Sequence, residues 1–341
     1  MTNRAASAPS RTLTRREFLA WTVVAAASGH VPGAAHAAEG DTRSFRLRAA
    51  KREVQLVPAP YPETSVWCYN GAVPGPSIRV RQGQRLRVLV ENALDEETTV
   101  HWHGVRVPNA MDGVPHLTQA PIGVGGSFVY EFDAVDAGTF WYHPHQRSSE
   151  QVGRGLYGPL IVEEHSPIRV DRDLTWVLDD WRLTRSAEIS GDFDNRHDMS
   201  HGGRIGNTVT INGQVPETFA VRAGERVRLR LVNAANARIF GLDFAGPKPV
   251  VIALDGQPVS PHEPEGGRVV LGPAMRVDLI LDMTSKAGSK ATVTDRFYER
   301  LEYRLVDLVY ADTALRKAAP DWPRDLPANP LPEPDPATTS R

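Results

Sequence analysis

Two histidine pairs, His101-Trp102-His103 and His143-Pro144-His145, are the residues best suited to chemistry in this 341-residue chain. Each pair lies in a strand-like run. Residues two apart in a strand project from one face, so each pair presents two imidazoles side by side, whereas a helix would need a spacing of three or four. Imidazole ligates Zn, Cu, Fe and Ni, and four imidazoles with no thiolate and no obligatory carboxylate fit copper or zinc best. Cys68 is the single cysteine. That excludes an intrachain disulfide framework, a four-cysteine zinc site and any iron–sulfur cluster held by this chain alone. In its strand before an Asn70-Gly71 turn, Cys68 reads as a small buried residue.

The elements that must position these histidines are strands. Arg85–Val90 and Arg226–Val232 alternate polar and apolar residues, the period of half-buried strands. Gly, Pro, Asn and Asp punctuate such runs, and helical periodicity is scarce beyond the first forty residues, so an all-β chain of two Greek-key β-sandwich domains is expected. The chain repeats at an offset of about 141: Asn70-Gly71, Gly83-Gln84-Arg85-Leu86 and Asn92-Ala93 answer to Asn212-Gly213, Gly224-Glu225-Arg226-Val227 and Asn233-Ala234. A period this long signals duplicated domains. The repeat also acts as an internal control. Its second copy has Leu242 and Phe244 where the first has His101 and His103, and Val293 and Asp295 near the places of His143 and His145. The sandwich therefore folds without imidazoles at these positions.

Composition narrows the function. With 41% hydrophobic and 23% charged residues the chain can bury a sizeable core. Its 39 Lys+Arg against 41 Asp+Glu give a net charge of -2, without the basic footprint of a nucleic-acid binder. Residues 1–37 have the layout of an export signal: Arg4, Arg11, Arg15 and Arg16, an apolar run from Phe18 to Ala27, and an Ala35-His36-Ala37 cleavage site. Thr14-Arg15-Arg16-Glu17-Phe18-Leu19 resembles a twin-arginine signal, which implies a periplasmic or otherwise exported protein. Ten apolar residues are too few to span a bilayer, so no membrane anchor is expected in the mature chain.

His101-Trp102-His103-Gly104, Met111-Asp112-Gly113-Val114-Pro115 with Thr118-Gln119, and Gly138-Thr139-Phe140-Trp141-Tyr142-His143-Pro144-His145 resemble the first domain of the multicopper oxidases, which include laccases and bacterial copper oxidases. Ile211-Asn212-Gly213, Ala253-Leu254-Asp255-Gly256 and Arg276-Val277-Asp278 resemble the family's copper-free middle domain. The resemblance implies cupredoxin-like domains at 38–165 and 166–312, followed by a Pro-rich linker at 313–341. It implies copper as cofactor, with His101 on the type 2 ion and His103, His143 and His145 on the type 3 pair. Dioxygen and a small reducing donor, phenol-like or cuprous, are the implied substrates. Asp112 matches an acidic residue that assists proton supply in relatives; the same residue also opens an Asp-Gly turn.

The family's third-domain motifs, which complete the cluster and build the type 1 site, are not found in these residues. A type 1 site needs a thiolate with two imidazoles. The expectation is that this chain holds half of a cluster, completed by a separately encoded third domain or in a homo-oligomer. Rival expectations are a copper-buffering protein without turnover, a copper-free structural relative and, last, a zinc hydrolase using three of the imidazoles. Asp194, His197, Asp198, Met199 and His201 sit in a Gly-rich loop. That loop reads first as solvated surface and second as a labile copper site with mixed donors. His116, after Pro115, is placed to line a channel or simply to sit in the turn.

Overall fold

The computed structural model describes residues 41–331, and the arginine-bearing segment 1–37 lies outside them. The first sandwich consists of β1 (Thr42–Val54), β2 (Thr64–Tyr69), β3 (Ile78–Arg81), β4 (Arg85–Asn92), β5 (His101–His103), β6 (Ser127–Asp133), β7 (Gly138–His143) and β8 (Gly158–Glu163). These form two sheets, ordered β2-β1-β4-β6 and β3-β8-β7-β5. A short helix α1 (Ser148–Gly153) follows the second histidine pair.

The second sandwich repeats the topology. Its strands are β9 (Arg172–Trp181), β10 (Thr208–Ile211), β11 (Thr218–Val221), β12 (Arg226–Asn233), β13 (Phe240–Phe244), β14 (Pro249–Leu254), β15 (Gln257–His262), β16 (Arg268–Leu271), β17 (Arg276–Asp282), β18 (Lys290–Asp295) and β19 (Tyr303–Tyr310), with α2 (Arg196–Ser200) between β9 and β10. The sheet orders are β10-β9-β12-β17-β14-β15 and β11-β19-β18-β13-β16. In both sandwiches the first strand runs parallel to the fourth, β1 with β4 and β9 with β12. The third runs parallel to the last, β3 with β8 and β11 with β19. Such mixed pairings are what Greek-key crossovers produce in an otherwise antiparallel sandwich. No helix among the described residues is long and apolar enough to cross a membrane.

Register refines the internal comparison. His101 pairs with His143 and His103 with Trp141 across β5 and β7, while Leu242 pairs with Asp295 and Phe244 with Val293 across β13 and β18. Asp295 therefore stands at the place of His143, and Val293 at that of Trp141. The sequence alignment slips here because β14 to β16 lengthen the second copy between β13 and β17.

One strand departs from its periodicity. β4 alternates as expected, with Leu86, Val88 and Val90 buried and the residues between them more open. In β12 every residue is buried, arginines included. The physical reason is that its polar face packs against the first sandwich. Arg228 donates to Glu164 at 2.8 Å and to Asp278 at 2.7 Å, and Arg230 donates to Asp173 at 2.7 Å. Alternation shows which residues share a face; it does not show what covers that face.

Three apolar clusters follow. One fills each sandwich, and a third lies between them, joining Cys68, Trp141 and Tyr157 of the first to Val177, Trp181 and Val232 of the second. Cys68 is fully buried there, its thiol donating to the Ala50 carbonyl at 3.7 Å. At the same interface Gly138 meets the backbone of Gly256 so closely that a Cβ would fall 2.3 Å from the Gly256 carbonyl oxygen.

Beyond β19 the chain is irregular yet docked. Leu315 N–H donates to Ala223 O, Arg316 pairs with Asp171 at 2.6 Å, and Arg226 donates to Trp322 O at 2.6 Å. Asn329 then joins the two sandwiches, accepting from Ala137 N–H at 2.8 Å and donating to Gln257 at 2.9 Å.

Candidate metal centre

The histidine-bearing sheet presents two different faces. Trp102, Phe140 and Tyr142 point into the core of the first sandwich. The intervening residues, His101 and His103 on β5 and Thr139, Trp141 and His143 on β7, take the opposite face by the two-residue period of a strand. That face is turned toward the second sandwich, which explains why all of β7 is buried.

Antiparallel pairing of β5 with β7 brings the two motifs together. Ligand atoms of His101, His103 and His143 all lie within 4.8 Å of one another. His145 stands at the rim, exposed, with its ring centroid 5.3 Å from that of His101 and 6.3 Å from that of His143. Its backbone N–H is held by Thr99 Oγ1 at 3.1 Å. Trp141 forms a wall, its ring 4.2 Å from His143 and 5.2 Å from His103.

Backbone carbonyls set the tautomers. His101 donates from Nδ1 to the Asp112 carbonyl at 2.8 Å, and His143 donates from Nδ1 to the Pro144 carbonyl at 2.9 Å. Each ring is thus left with Nε2 as its lone-pair donor, the arrangement by which proteins orient metal-ligating histidines. His103 Nδ1 faces His143 Nε2 at 3.1 Å. Two ring nitrogens at this separation need a proton or a cation between them. The donor set is nitrogen only, which fits copper and leaves no thiolate for a blue-copper geometry.

Asp112 follows a 3-10 turn at Asn109–Met111, its N–H donating to Asn109 O at 3.2 Å. Its carboxylate Oδ1 lies 3.3 Å from His101 Nδ1. The turn and the acid beside the histidine are therefore one feature. Gly113 makes this approach possible: at φ +76°, a Cβ there would sit 1.8 Å from the Val100 carbonyl oxygen, so no side chain fits. His116 is exposed on the following turn, its N–H donating to Gln119 O at 2.8 Å.

Burial, with the neighbouring imidazoles adding to it, lowers the pKa of His143 to about 3. Burial and the nearby Arg276 guanidinium lower that of His103 to about 4. Burial also lowers His101, opposed by its bonds to Asp112. All three are neutral and able to ligate at pH 7. The sign for folding follows. Below about pH 6.5 the unfolded metal-free chain takes up protons that the folded chain refuses, so stability present above that pH is lost as pH falls toward 4 and then 3. Each such group adds up to about 1.4 kcal/mol per pH unit to the slope. Urea unfolding of the metal-free protein at pH 7, 5.5 and 4.5 checks this, and His143→Gln is expected to flatten the slope between pH 6 and 4.

Sequence reading missed the charged network behind β7. Thr139 Oγ1 donates to Asp278 at 2.6 Å and accepts from Arg230 at 2.9 Å, while Asp278 also receives Arg228 at 2.7 Å. Arg276 packs against Gly104, directly after His103, so tightly that a Cβ there would overlap its guanidinium. The signal lay in the run Arg226-x-Arg228-x-Arg230, which reads as a solvated face when taken alone.

Comparison with known proteins is consistent along most of the chain. Family profiles described as multicopper oxidase match residues 51–167 and residues 172–294. Copper resistance protein A of Pseudomonas syringae pv. tomato is 32% identical over 302 residues, covering 75% of this chain and 48% of that protein. Multicopper oxidase MmcO of Mycobacterium tuberculosis is 33% identical over 248 residues, covering 64% of this chain and 48% of its own. The chain thus spans about half the length of these curated relatives. Among solved structures, a multi-copper oxidase from Pseudomonas thermotolerans superposes with a TM-score of 0.80 at 39% identity, covering 88% of this chain and 70% of that one.

Proposed function

This chain belongs to the multicopper oxidase family, and from that premise we propose that it is the cluster-bearing part of an exported copper oxidoreductase that couples oxidation of a small donor to reduction of dioxygen to water. The observation that carries the reading is the convergence of His101, His103 and His143 from paired strands, with His145 at the rim. The resemblance around both histidine pairs supports a reading in which His101 would hold a type 2 ion and His103, His143 and His145 a type 3 pair.

Bound copper would supply one-electron redox chemistry to dioxygen. The protein's own share is binding, orientation and proton supply. The Asp112 and Pro144 carbonyls hold two imidazoles in the ligating tautomer, and Trp141 keeps water from the inner side of His103 and His143. Asp112 Oδ1, beside His101 and partly open to solvent, is placed to hold a proton and release it toward the centre. Half of the imidazoles such a cluster uses are present here. The remaining cluster ligands would come from polypeptide beyond these two sandwiches, a further cupredoxin domain or another copy, whereas the donor-oxidising copper needs a thiolate that a further domain would bring, since Cys68 is buried. The arginine-bearing N-terminus, with its apolar run and Ala35-His36-Ala37, supports export. The donor is phenol-like or cuprous.

Dioxygen uptake by the copper-loaded protein, isolated from the exported fraction of its host together with the polypeptide that completes its cluster, tests the reading with a phenolic and with a cuprous donor. Uptake that stops on copper chelation is expected, with Asp112→Asn slowing it at unchanged copper content. Copper held by the four histidines with no uptake from either donor, even with the completing polypeptide present, would instead make the chain a copper store.

A further inference from the structure

The second sandwich brings one cation up to the buried centre. Arg276 opens β17 and is 4% exposed. Its guanidinium lies against Gly104, the residue after His103: a Cβ on Gly104, at φ +84°, would fall 2.2 Å from Arg276 Nη2, so Nη2 is in van der Waals contact with the Gly104 backbone. It reaches the neighbouring strand as well, with Nε donating to the Thr139 carbonyl of β7 over a long 3.4 Å. Arg276 thus touches the backbone of both segments that carry the inner histidines, just past the end of β5 and four residues before His143 on β7.

What fixes the guanidinium is mostly uncharged. Nη1 donates to the Ala274 carbonyl at 3.0 Å, and Nη2 donates to the Asp255 carbonyl at 2.9 Å. One carboxylate is within reach, Asp255 Oδ1 at 3.2 Å from Nη1, and its side chain is 50% exposed while that of Arg276 is 5% exposed. Water screens the exposed carboxylate, whereas the buried guanidinium keeps its field. Asp278, two residues further along β17, is taken up by Arg228, Arg230 and Thr139. A guanidinium also stays charged across the pH range of the folded protein. The balance is a positive charge, rigidly held, beside His103.

We propose that Arg276 is a positioning residue of the buried centre, one that fixes a positive charge behind His103 and so favours Cu+ over Cu2+ there. The inference rests on the reading that β5 and β7 hold copper. A nearby positive charge opposes the ion of higher charge more strongly, and the charge and dielectric around a metal site tune its potential. A centre that takes up electrons to pass to dioxygen is helped by being easier to reduce. Arg276-Val277-Asp278 then carries two separate tasks on one strand: Arg276 sets the charge beside the site, and Asp278 holds β7 in place.

The test is a redox titration of copper bound to the full chain, with the Cu2+ paramagnetic resonance signal followed against potential and copper retention read on the same samples. Arg276→Gln is expected to lower the Cu+/Cu2+ affinity ratio about tenfold or more, a fall of about 59 mV or more for a one-electron couple. Arg276→Lys keeps the charge and loses the fork, and is expected to hold the ratio within about threefold of the parent even where total retention falls. Asp255→Asn removes the opposing charge at nearly the same shape and is expected to raise the ratio about twofold; it decides the matter if Arg276→Gln does not fold. A parental ratio in Arg276→Gln overturns the proposal, and so does an unchanged ratio in Asp255→Asn. An equal fall in Arg276→Lys and Arg276→Gln also overturns it, since packing alone would then account for the effect. Copper retention that survives His103→Ala/His143→Ala undiminished overturns the copper reading first and the proposal with it.

Discussion

His143→Ala is expected to abolish copper retention at the buried centre and dioxygen uptake with it. Removing an outer partner of a ligand costs metal affinity about 10–100-fold, and His143 is the ligand itself. Its Nε2 faces His103 Nδ1 at 3.1 Å, so its loss also removes what orients His103. The fold is expected to persist, because the second sandwich builds the same strand pair with Leu242 opposite Asp295. Copper content after dialysis, read beside a circular-dichroism spectrum, checks both halves. His116→Ala, on the exposed turn, is the control and is expected to leave copper content unchanged.

The second large effect is expected behind the ligands. Asp278 is 1% exposed and receives Arg228, Arg230 and Thr139. Asp278→Ala takes one carboxylate from each of two buried guanidiniums, Arg228 and Arg230, which keep Glu164 and Asp173, so the cost is expected at the low end of the about 3–5 kcal/mol of breaking a buried pair. Thr139→Val removes one hydrogen bond of the same network and is expected to cost about 1–2 kcal/mol. Denaturant unfolding measures both. Because Thr139 lies on β7 four residues before His143, copper affinity is expected to fall in Asp278→Ala although Asp278 touches no ligand. An unchanged affinity would show that β7 is positioned by the apolar interface alone.

The sequence carried the site further than it carried the surroundings. A two-residue histidine spacing in a strand puts His101 and His103 of β5 on one face, whereas β7 ends at His143, so of the second pair only His143 joins that face and His145 stands past the strand at the rim. The duplicated topology was visible for the same reason, since turns such as Asn70-Gly71 and Asn212-Gly213 recur at matching places, both asparagines at positive φ. Pairing of the two motifs across a sheet is a long-range property, and so is the burial of Arg228 and Arg230. Periodicity reports which residues share a face, and the partner of that face is set by how the sandwiches meet. Asp295 was misplaced by one pair because β14 to β16 lengthen only the second copy. The Pro-rich segment reads as a linker by composition, yet Arg226, Asp171 and Ala137 hold it through residue 329. Its backbone carbonyls, the Arg316 guanidinium and the Asn329 amide make those bonds, and none leaves a trace in hydrophobic patterning.

X-ray absorption of copper bound to the full chain tests the central claim most directly, that β5 and β7 hold copper through imidazole alone. To exclude adventitious binding at exposed imidazoles, the measurement is made in the His197→Ala/His201→Ala background. The account predicts a nitrogen-only shell with the outer scattering of imidazole rings, and its disappearance together with the bound copper in His103→Ala/His143→Ala. A copper–sulfur distance in that shell, or full copper content after both histidines are removed, would contradict it.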